Sequence, residues 1–526
     1  MSAGGGTADE KADSKPEVPT ESERWQWNRK KVFHWVFLVS SVLYALWRFS
    51  ADEQNAFLQQ EMRRAFRSSP YGLQRKVDDT HWEWQSTTFL VTKNLVWFLL
   101  HPLLGRATAG IAPPLVPVFY AVYASLFVAL QLSWEVALAF LAQHAAFFAL
   151  SALRVPAFCY AMASLMLLQK RIYDTSFFHL VYDKYGQEVQ VVAFIAYHWN
   201  ILRCLSFSLD LTCTERDKPE ESGSRWPPYW KTLAYVVYMP AVYLGPLQNY
   251  HDFAAQLDKA RPQLTLRVIG AATVGVLRSG AHFLLVEIMT HYLYSYAMSQ
   301  WPWMIGKLGP ASLVGFGLSL LFFFYVRYVF NYGFAGALAR AEGIEIPPHA
   351  KCIARLNKCS QFWRHFDRGM HLFIRRYIYE PVSGGRKGAA WLVLGTAASF
   401  AFSWVWHDMT TPDGIWCALS VLGITVEVLV AQARKSSFVK DLESRYLATP
   451  DRMREAKALI GSPHYLLTIS ACMFHLADLN VVMVLCRGVL LGFPFPLVPV
   501  LVVLYSACHV SFDVAEWEAS EKRKEA

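Results

Sequence analysis

Two side chains suited to proton transfer lie forty residues apart in the C-terminal half of the chain. His407 follows an uncharged run, 389–406. Imidazole has an unperturbed pKa of about 6.5, so it can accept a proton near neutral pH. Asp367 lies in the segment WRHFDRG at 363–369. A carboxylate at membrane depth is costly unless it is paired, so its presence there indicates either a functional group or an ion pair.

Residue type alone leaves structural alternatives open for both side chains. Asp367 is also compatible with a surface ion pair, in which Arg364, at i−3, shares its helix face. His407 is also compatible with an interfacial residue that caps a helix end. Composition does not distinguish it from the other histidines in apolar surroundings, which are His144, His198, His282, His291 and His475.

A third group of polar residues lies on one apolar segment. Arg278, Glu287 and His291 follow each other at helical spacing. This pattern is more typical of an interhelical hydrogen-bond network than of a catalytic site. Asp478 and Asn480, which interrupt a later apolar stretch, have the same interpretation.

The segment 351–387 is strongly basic. It contains nine Lys and Arg residues against two acids, with aromatic side chains between them. One interpretation is an amphipathic segment on the anionic cytosolic leaflet. The other, compatible with the first, is a phosphate-binding rim at the mouth of a membrane site, since arginine suits phosphate oxygens.

The elements that position these residues must be membrane helices. Of 526 residues, 54% are hydrophobic and only 17% are charged, against about 25% in soluble domains. Such a composition excludes a disordered protein, a coiled coil and a disulfide-stapled secreted module. The net charge of +9 favours an anionic membrane face or an anionic small molecule over nucleic acid. Nine cysteines without a C-x-x-C motif predict neither a disulfide framework nor a zinc site.

Apolar runs of membrane-spanning length predict an all-α polytopic membrane protein with about ten spans plus re-entrant segments. A first run lies at about 32–48. The strongest uncharged runs are 110–134, 136–153, 232–251, 308–326, 389–406 and 488–512, and the weaker ones lie near 86–104, 155–169, 189–209, 267–296 and 458–477. Internal prolines, among them Pro240 and Pro246, predict broken helices. We expect a disordered cytosolic tail at 1–23, one membrane domain at 24–515 and a basic cytosolic tail at 516–526.

Several segments together resemble the membrane-bound O-acyltransferase superfamily, and within it the hedgehog acyltransferase branch. The core of the resemblance is WRHFD at 363–367, IRRYIYEP at 374–381 and FAFSWVWH at 400–407. The segments LRCLSFSL at 202–209 and LGP at 244–246 are also similar, and the resemblance extends over about 35–515. It implies a helical bundle of that family's type, in which the matching positions Asp367 and His407 are catalytic.

The resemblance also implies a reaction. A palmitoyl group would pass from palmitoyl-CoA to the N-terminal cysteine amine of a secreted hedgehog protein, in the endoplasmic reticulum or Golgi membrane. We expect His407 to act as the base and Asp367 as a positioning or proton-relay group, although the sequence does not order these roles. The expected CoA-binding residues are Lys351, Arg355, Arg364 and Arg368. The other expected partners are membrane lipids, and no nucleic acid is expected.

Cys352 carries a separate implication of the resemblance. It matches a cysteine that ligates haem in hedgehog acyltransferase, so haem b is the implied cofactor, and no metal is expected beyond the haem iron. The sequence itself gives no reason for haem. Lys522 and Lys524 resemble a dilysine retrieval signal of the endoplasmic reticulum, with a solvated basic end as the alternative.

One departure from the family pattern keeps other functions open. The family usually has glycine after the histidine, where this chain has Asp408. The alternatives are a non-catalytic regulator of the acyltransferase-like branch, in which the histidine is replaced, and an acyltransferase for another protein or lipid acceptor. A secondary transporter is disfavoured because the chain shows no inverted repeat. Because His407 is retained, the sequence favours an active enzyme.

Overall fold

A computed structural model describes residues 27–61, 66–172, 176–214, 229–259, 265–386 and 388–525. The predicted N-terminal tail, 1–23, lies outside these residues. The regular secondary structure of the described residues is helical, apart from one isolated β-bridge between Ser68 and Lys76. The all-α prediction is therefore confirmed.

Twelve of the described α-helices lie in the part of the chain that ends at residue 292. They are α1 (Arg29–Ala51), α2 (Glu53–Glu61), α3 (Trp82–Ile111), α4 (Val116–Phe127), α5 (Trp134–Ala152), α6 (Pro156–Ile172), α7 (Ser176–Tyr185), α8 (Gln187–Thr214), α9 (Tyr229–Val236), α10 (Met239–Val242), α11 (Tyr250–Leu257) and α12 (Leu266–Tyr292). A 3₁₀ turn at Pro113–Leu115 and a π-helix at Val128–Leu132 extend α4 at its two ends.

The second half contains twelve more described α-helices and the segment that carries Asp367. They are α13 (Ser295–Ser299), α14 (Pro302–Ile305), α15 (Pro310–Glu342), α16 (Cys359–His365), α17 (Arg368–Ile374), α18 (Glu380–Ser383), α19 (Ala389–Trp406), α20 (Thr411–Ala433), α21 (Ser437–Tyr446), α22 (Pro450–Leu476), α23 (Leu479–Leu490) and α24 (Leu497–Glu525). A 3₁₀ turn lies at Ile353–Arg355 and a π-helix at Arg375–Tyr379.

Ten helical segments among the described residues are long and apolar enough to cross a membrane, so the chain is a multi-pass membrane protein. They are α1, α3, the stretch Pro113–Leu132, α5, α8, α12, α15, α19, α20 and α24. The prediction of about ten spans is confirmed. Helices α8 and α15 are mostly buried, and they form the centre of the bundle.

The uncharged run 232–251 does not form the single span that its hydropathy predicts. It is divided among α9, α10 and the start of α11, with turns, bends and irregular backbone between them. Pro240 and Pro246 lack the N–H that a continuous helix requires, which is the physical reason. The segment is buried in protein, and Tyr235 donates a hydrogen bond to the carbonyl of Gln248 at 2.5 Å. Irregular backbone is tolerated at membrane depth when protein covers it in this way.

Three further predicted runs differ from the observed elements. Run 488–512 is interrupted between α23 and α24, where the chain contains Pro494 and Pro496. Runs 155–169 and 458–477 belong to α6 and α22, which are helical but are not among the ten candidate spans. Helix α24 continues to Glu525, across the predicted boundary at 515, so the described part of the basic tail is helical.

The broken segment supports the part of the chain that carries Asp367. Gly369, at the start of α17, lies against the main chain of Leu247, and a β-carbon at this position would collide with the Leu247 carbonyl oxygen. Only glycine permits this approach. The buried loop between α10 and α11 therefore holds α17 at a fixed depth.

Candidate active site

A cavity of about 1050 Å³ contains both side chains that the sequence singles out. Its walls come from the segment α16–α17, from α19, α20 and α22, and from α15. Asp367 and His407 both line it, so the fold brings the predicted pair into one site. Aromatic residues, among them Trp363, Phe400 and Trp416, form much of the surrounding wall.

His407 is positioned by the turn between two membrane helices. It caps the C-terminus of α19, and its N–H donates to the carbonyl of Ser403 at 3.0 Å. Asp408 and Met409 then adopt left-handed backbone conformations, with φ of 66° and 54°. Left-handed backbone favours glycine and also accepts aspartate, whose short polar side chain can bond locally. The departure at Asp408 is therefore compatible with the turn that presents His407.

A second histidine and an acid lie beside His407, and the sequence analysis does not assign them. His475 Nδ1 and Asp413 Oδ1 are 2.9 Å apart, and the other oxygen of Asp413 accepts a hydrogen bond from Thr410 at 2.6 Å. The His475 ring lies edge-on to the His407 ring, with their centroids 4.6 Å apart. Trp416 stacks on His475 at 4.2 Å and fixes its plane.

The signal for this pair in the sequence is weak. His475 is one of five histidines in apolar surroundings, and Asp413 lies six residues after His407 on the next helix. Their meeting depends on the packing of α20 against α22. We call Asp413 and His475 the acid–histidine pair.

Asp367 is held by two hydrogen bonds at the N-terminus of α17. Its Oδ1 accepts from the Met370 N–H at 2.9 Å, and its Oδ2 accepts from the Tyr332 hydroxyl at 2.7 Å. Burial raises the pKa of Asp367, and the two donors oppose part of that effect because they favour the charged form. Tyr332 belongs to α15, so the central helix of the bundle orients the carboxylate.

The four predicted CoA-binding residues divide into two pairs. Arg364 and Arg368 line the cavity. Lys351 and Arg355 do not line it, and both form ion pairs with Glu518 of α24, the first at 3.3 Å. Within the described ranges, Arg364 and Arg368 have no ion pair with a carboxylate.

The pKa values of two histidines are lowered by the positive charges at this end of the cavity. The pKa of His371, which lines the cavity, is lowered to about 4, first by burial and then by Arg368 and Arg364. The pKa of His365 is also lowered to about 4, by burial and by the surrounding cations. Both histidines are therefore neutral at pH 7, and the charge of this rim comes from its arginines.

Cys352 is a partly exposed free thiol at the start of the 3₁₀ turn Ile353–Arg355. It does not line the cavity, although the next residue, Ile353, does. A haem needs an apolar slot around its macrocycle beside the axial thiolate. Cys352 lines neither this cavity nor the second cavity that is described below, so its surroundings do not support haem binding.

The donor atoms of His407, Asp413 and His475 lie within 4.8 Å of one another, close enough to hold a metal ion. The spacing of these residues in the sequence does not predict a metal site. A tetrahedral zinc ion needs donors that face the ion rather than each other. Asp413 and His475 instead face each other in a 2.9 Å hydrogen bond. This geometry favours an acid–histidine pair that orients an imidazole.

Comparison with known proteins identifies the family. The model of the MBOAT, membrane-bound O-acyltransferase family, matches residues 115–454, which include Asp367, His407 and Asp413. The protein-cysteine N-palmitoyltransferase HHAT of Mus musculus is 29% identical over 323 residues, 60% of this chain and 64% of the mouse protein. The match thus covers less than two thirds of that relative.

Two further relatives cover larger shares. The protein-cysteine N-palmitoyltransferase Rasp of Drosophila melanogaster is 27% identical over 67% of this chain and 69% of its own length. The protein-cysteine N-palmitoyltransferase HHAT-like protein of Mus musculus is 25% identical over 84% of this chain and 87% of its own length.

Proposed function

This chain belongs to the membrane-bound O-acyltransferase family, and we propose that it transfers a palmitoyl group from palmitoyl-CoA to the N-terminal cysteine amine of a secreted hedgehog protein. The main support for the proposal is that one cavity contains a histidine that can act as a base, a carboxylate and two arginines, Arg364 and Arg368, which we call the cationic rim. His407, Asp367 and Arg364 line this single space. The similarity to HHAT and Rasp supplies the acyl-transfer chemistry and the class of acceptor.

The reaction needs a neutral amine and one proton transfer. The amine nitrogen attacks the thioester carbonyl, a C–N bond forms, and the C–S bond breaks to release the CoA thiolate. The attacking nitrogen loses a proton, and the thiolate gains one. N-terminal amines have pKa values of about 7.7–8.0, so a base that accepts the proton accelerates attack near neutral pH. We assign that role to His407, which can return the proton to the thiolate.

Asp367 is suited to the opposite electrostatic task. Nitrogen gains positive charge as it attacks the carbonyl, and a fixed carboxylate stabilises that charge in the transition state. The hydrogen bonds from Tyr332 and Met370 hold the carboxylate before substrate arrives. We therefore propose that Asp367 positions the amine and stabilises its developing charge.

The acid–histidine pair is proposed to position His407. His475 lies edge-on to His407, and the Asp413 carboxylate lies close to both imidazole rings. A carboxylate beside an imidazole favours the charged form of the ring. The pair would thereby favour proton acceptance by His407.

We expect Asp413→Asn to lower kcat by about tenfold to a hundredfold. Because the carboxylate that favours a protonated imidazole is removed, the acid limb of the pH–rate profile should move to lower pH. The same profile measured for Asp441→Asn, on exposed α21, is the control and should match the wild type. An unchanged acid limb in Asp413→Asn would show that the pair does not act on the base.

The cationic rim is proposed to bind the CoA phosphates. We expect the double change Arg364→Gln and Arg368→Gln to raise KM for palmitoyl-CoA by about tenfold or more, because each charge-assisted hydrogen bond contributes about 1.5–3 kcal/mol. The matched control is Lys351→Gln with Arg355→Gln. These residues already pair with Glu518, so the rise in KM should be smaller. A larger rise in the Lys351→Gln/Arg355→Gln variant would instead place the phosphates at the α24 side.

The remaining expectations stay proposals. Residues 24–515 would act as one acyltransferase domain between cytosolic tails at 1–23 and 516–526. We propose that the membrane is that of the endoplasmic reticulum. The even number of candidate spans among the described residues supports placing both ends of the membrane domain on the cytosolic side. Haem at Cys352 rests on the family resemblance alone.

The direct test supplies purified full chain with palmitoyl-CoA and a peptide that begins Cys-Gly-Pro-Gly. Mass spectrometry should find one amide-linked palmitoyl group at the peptide N-terminus. A regulator is the second candidate, because the HHAT-like relative matches the larger share of this chain. A folded chain that acylates neither this peptide, as an amide, nor serine peptides and lipids, as esters, would favour the regulator.

A further inference from the structure

A second cavity, of about 340 Å³, lies between α12 and α15 and is lined by Arg278, Arg340 and His349. The two helices run antiparallel here, since Gly275 packs against Ala337 and Ser279 against Gly333. Glycines at 275, 333 and 336 keep its floor at backbone level. We call this cavity the arginine groove.

The two arginines converge on this groove. Arg340 lies near the C-terminal end of α15, yet its side chain turns back along the helix. One of its terminal nitrogens lies 3.2 Å from where a β-carbon of residue 336 would be, and the other lies 3.6 Å from that position at Gly275. Arg278 lines the same cavity from α12, and its charge acts on Arg340.

This pair of cations is not neutralised by any acid among the described residues. Within the described ranges, neither Arg278 nor Arg340 has a hydrogen bond or ion pair with a carboxylate. Glu345 adds an attractive charge near Arg340 but forms no ion pair with it. His282 and His349 also face Arg278. Burial lowers the pKa of His349, and the two guanidinium charges lower it further, so this histidine is neutral at pH 7.

The position of Arg278 raises the free-energy cost of leaving its charge without a counter-charge. It lies near the middle of candidate span α12, and the neighbouring Val274 and Leu277 are 64% and 69% exposed. In a bilayer those exposed apolar side chains face lipid. A guanidinium at this depth needs an anion or a polar cavity.

We propose that the arginine groove binds a phosphate group, supplied either by an anionic phospholipid headgroup or by a free phosphorylated solute. Two guanidinium forks facing one space are suited to bidentate contact with phosphate oxygens. The open groove and its lipid-facing rim give a phospholipid direct access. Tyr332 lines this groove and also donates to Asp367, so the bound phosphate would lie one residue away from the active-site carboxylate.

Binding is measured on the full chain in neutral detergent, so that the result does not depend on the proposed acyl transfer. Native mass spectrometry compares retention of dioleoyl phosphatidylglycerol with that of dioleoylglycerol, which lacks the phosphate. We expect the wild type to prefer the phospholipid and the double variant Arg278→Gln/Arg340→Gln to bind it about tenfold more weakly or worse. Arg487→Gln, an exposed arginine on α23 outside both cavities, is the control and should bind as the wild type does.

A second variant retains both charges. Gly336→Ala adds a methyl group in the space beside the Arg340 guanidinium, so it should also weaken phospholipid binding. Inorganic phosphate distinguishes the source: if it raises the melting temperature of the wild type and not of the double variant, while the phospholipid shows no preference, the ligand is a soluble phosphate. Equal phospholipid retention by wild type and double variant, together with equal responses to phosphate, would overturn the proposal.

Discussion

Replacing His407 by alanine should reduce the rate of amide formation by about 10²–10⁴-fold, the usual contribution of a positioned general base. The loss should appear in kcat, because His407 lies in the cavity wall beside the acid–histidine pair and not at the cationic rim. The measurement is the initial rate of peptide palmitoylation at saturating palmitoyl-CoA. Raising the pH above 8 should recover part of the activity, since more of the amine is then neutral without a base.

His251→Ala is the matched control for this change. His251 is a half-exposed histidine on α11 that lines neither cavity, so its removal should leave the rate unchanged. Equal thermal unfolding of the two variants would exclude a folding defect. A His407→Ala protein that retains the wild-type rate would rule out His407 as the base and return the assignment to His475.

Replacing Asp367 by asparagine should lower kcat by about 10²-fold or more, because the charge opposite the developing ammonium is lost. Stability should change little, since the asparagine oxygen can still accept the Met370 N–H at the start of α17. Asp367→Ala removes this cap as well and should destabilise the protein by about 1 kcal/mol. Comparing the two variants separates the charge from the cap.

Tyr332→Phe tests the carboxylate without removing its charge. The Tyr332 hydroxyl favours the charged form of Asp367, so its loss should raise the pKa of Asp367. The acid limb of the pH–rate profile should therefore move to higher pH, opposite to the shift expected for Asp413→Asn. A wild-type rate in Asp367→Asn would show that the charge has no part in catalysis.

The apolar pattern and the flanking motifs were enough to predict the class of structure and the two candidate catalytic residues, Asp367 and His407. Apolar runs of membrane length can be satisfied only by helices in a bilayer, because each backbone polar group must bond within its own segment. That constraint is local, so the sequence predicts about ten spans, although the observed span α20 lies in none of the predicted runs. Asp367 and His407 were identified because their flanking segments resemble one superfamily, and the structure places both in one cavity.

The contacts between helices, and the break in run 232–251, could not be predicted from the hydropathy pattern and became known only from the tertiary structure. Hydropathy treats run 232–251 as a span, whereas prolines and the surrounding protein make it a broken, buried segment. Packing between helices also divides the predicted CoA-binding residues. Arg364 and Arg368 lie in the cavity, whereas Lys351 and Arg355 pair with Glu518, more than 150 residues later in the chain. It also brings His475 to His407, and Arg340 to Arg278. These contacts join residues on different helices, and hydropathy along one helix carries no information about which neighbour it will face.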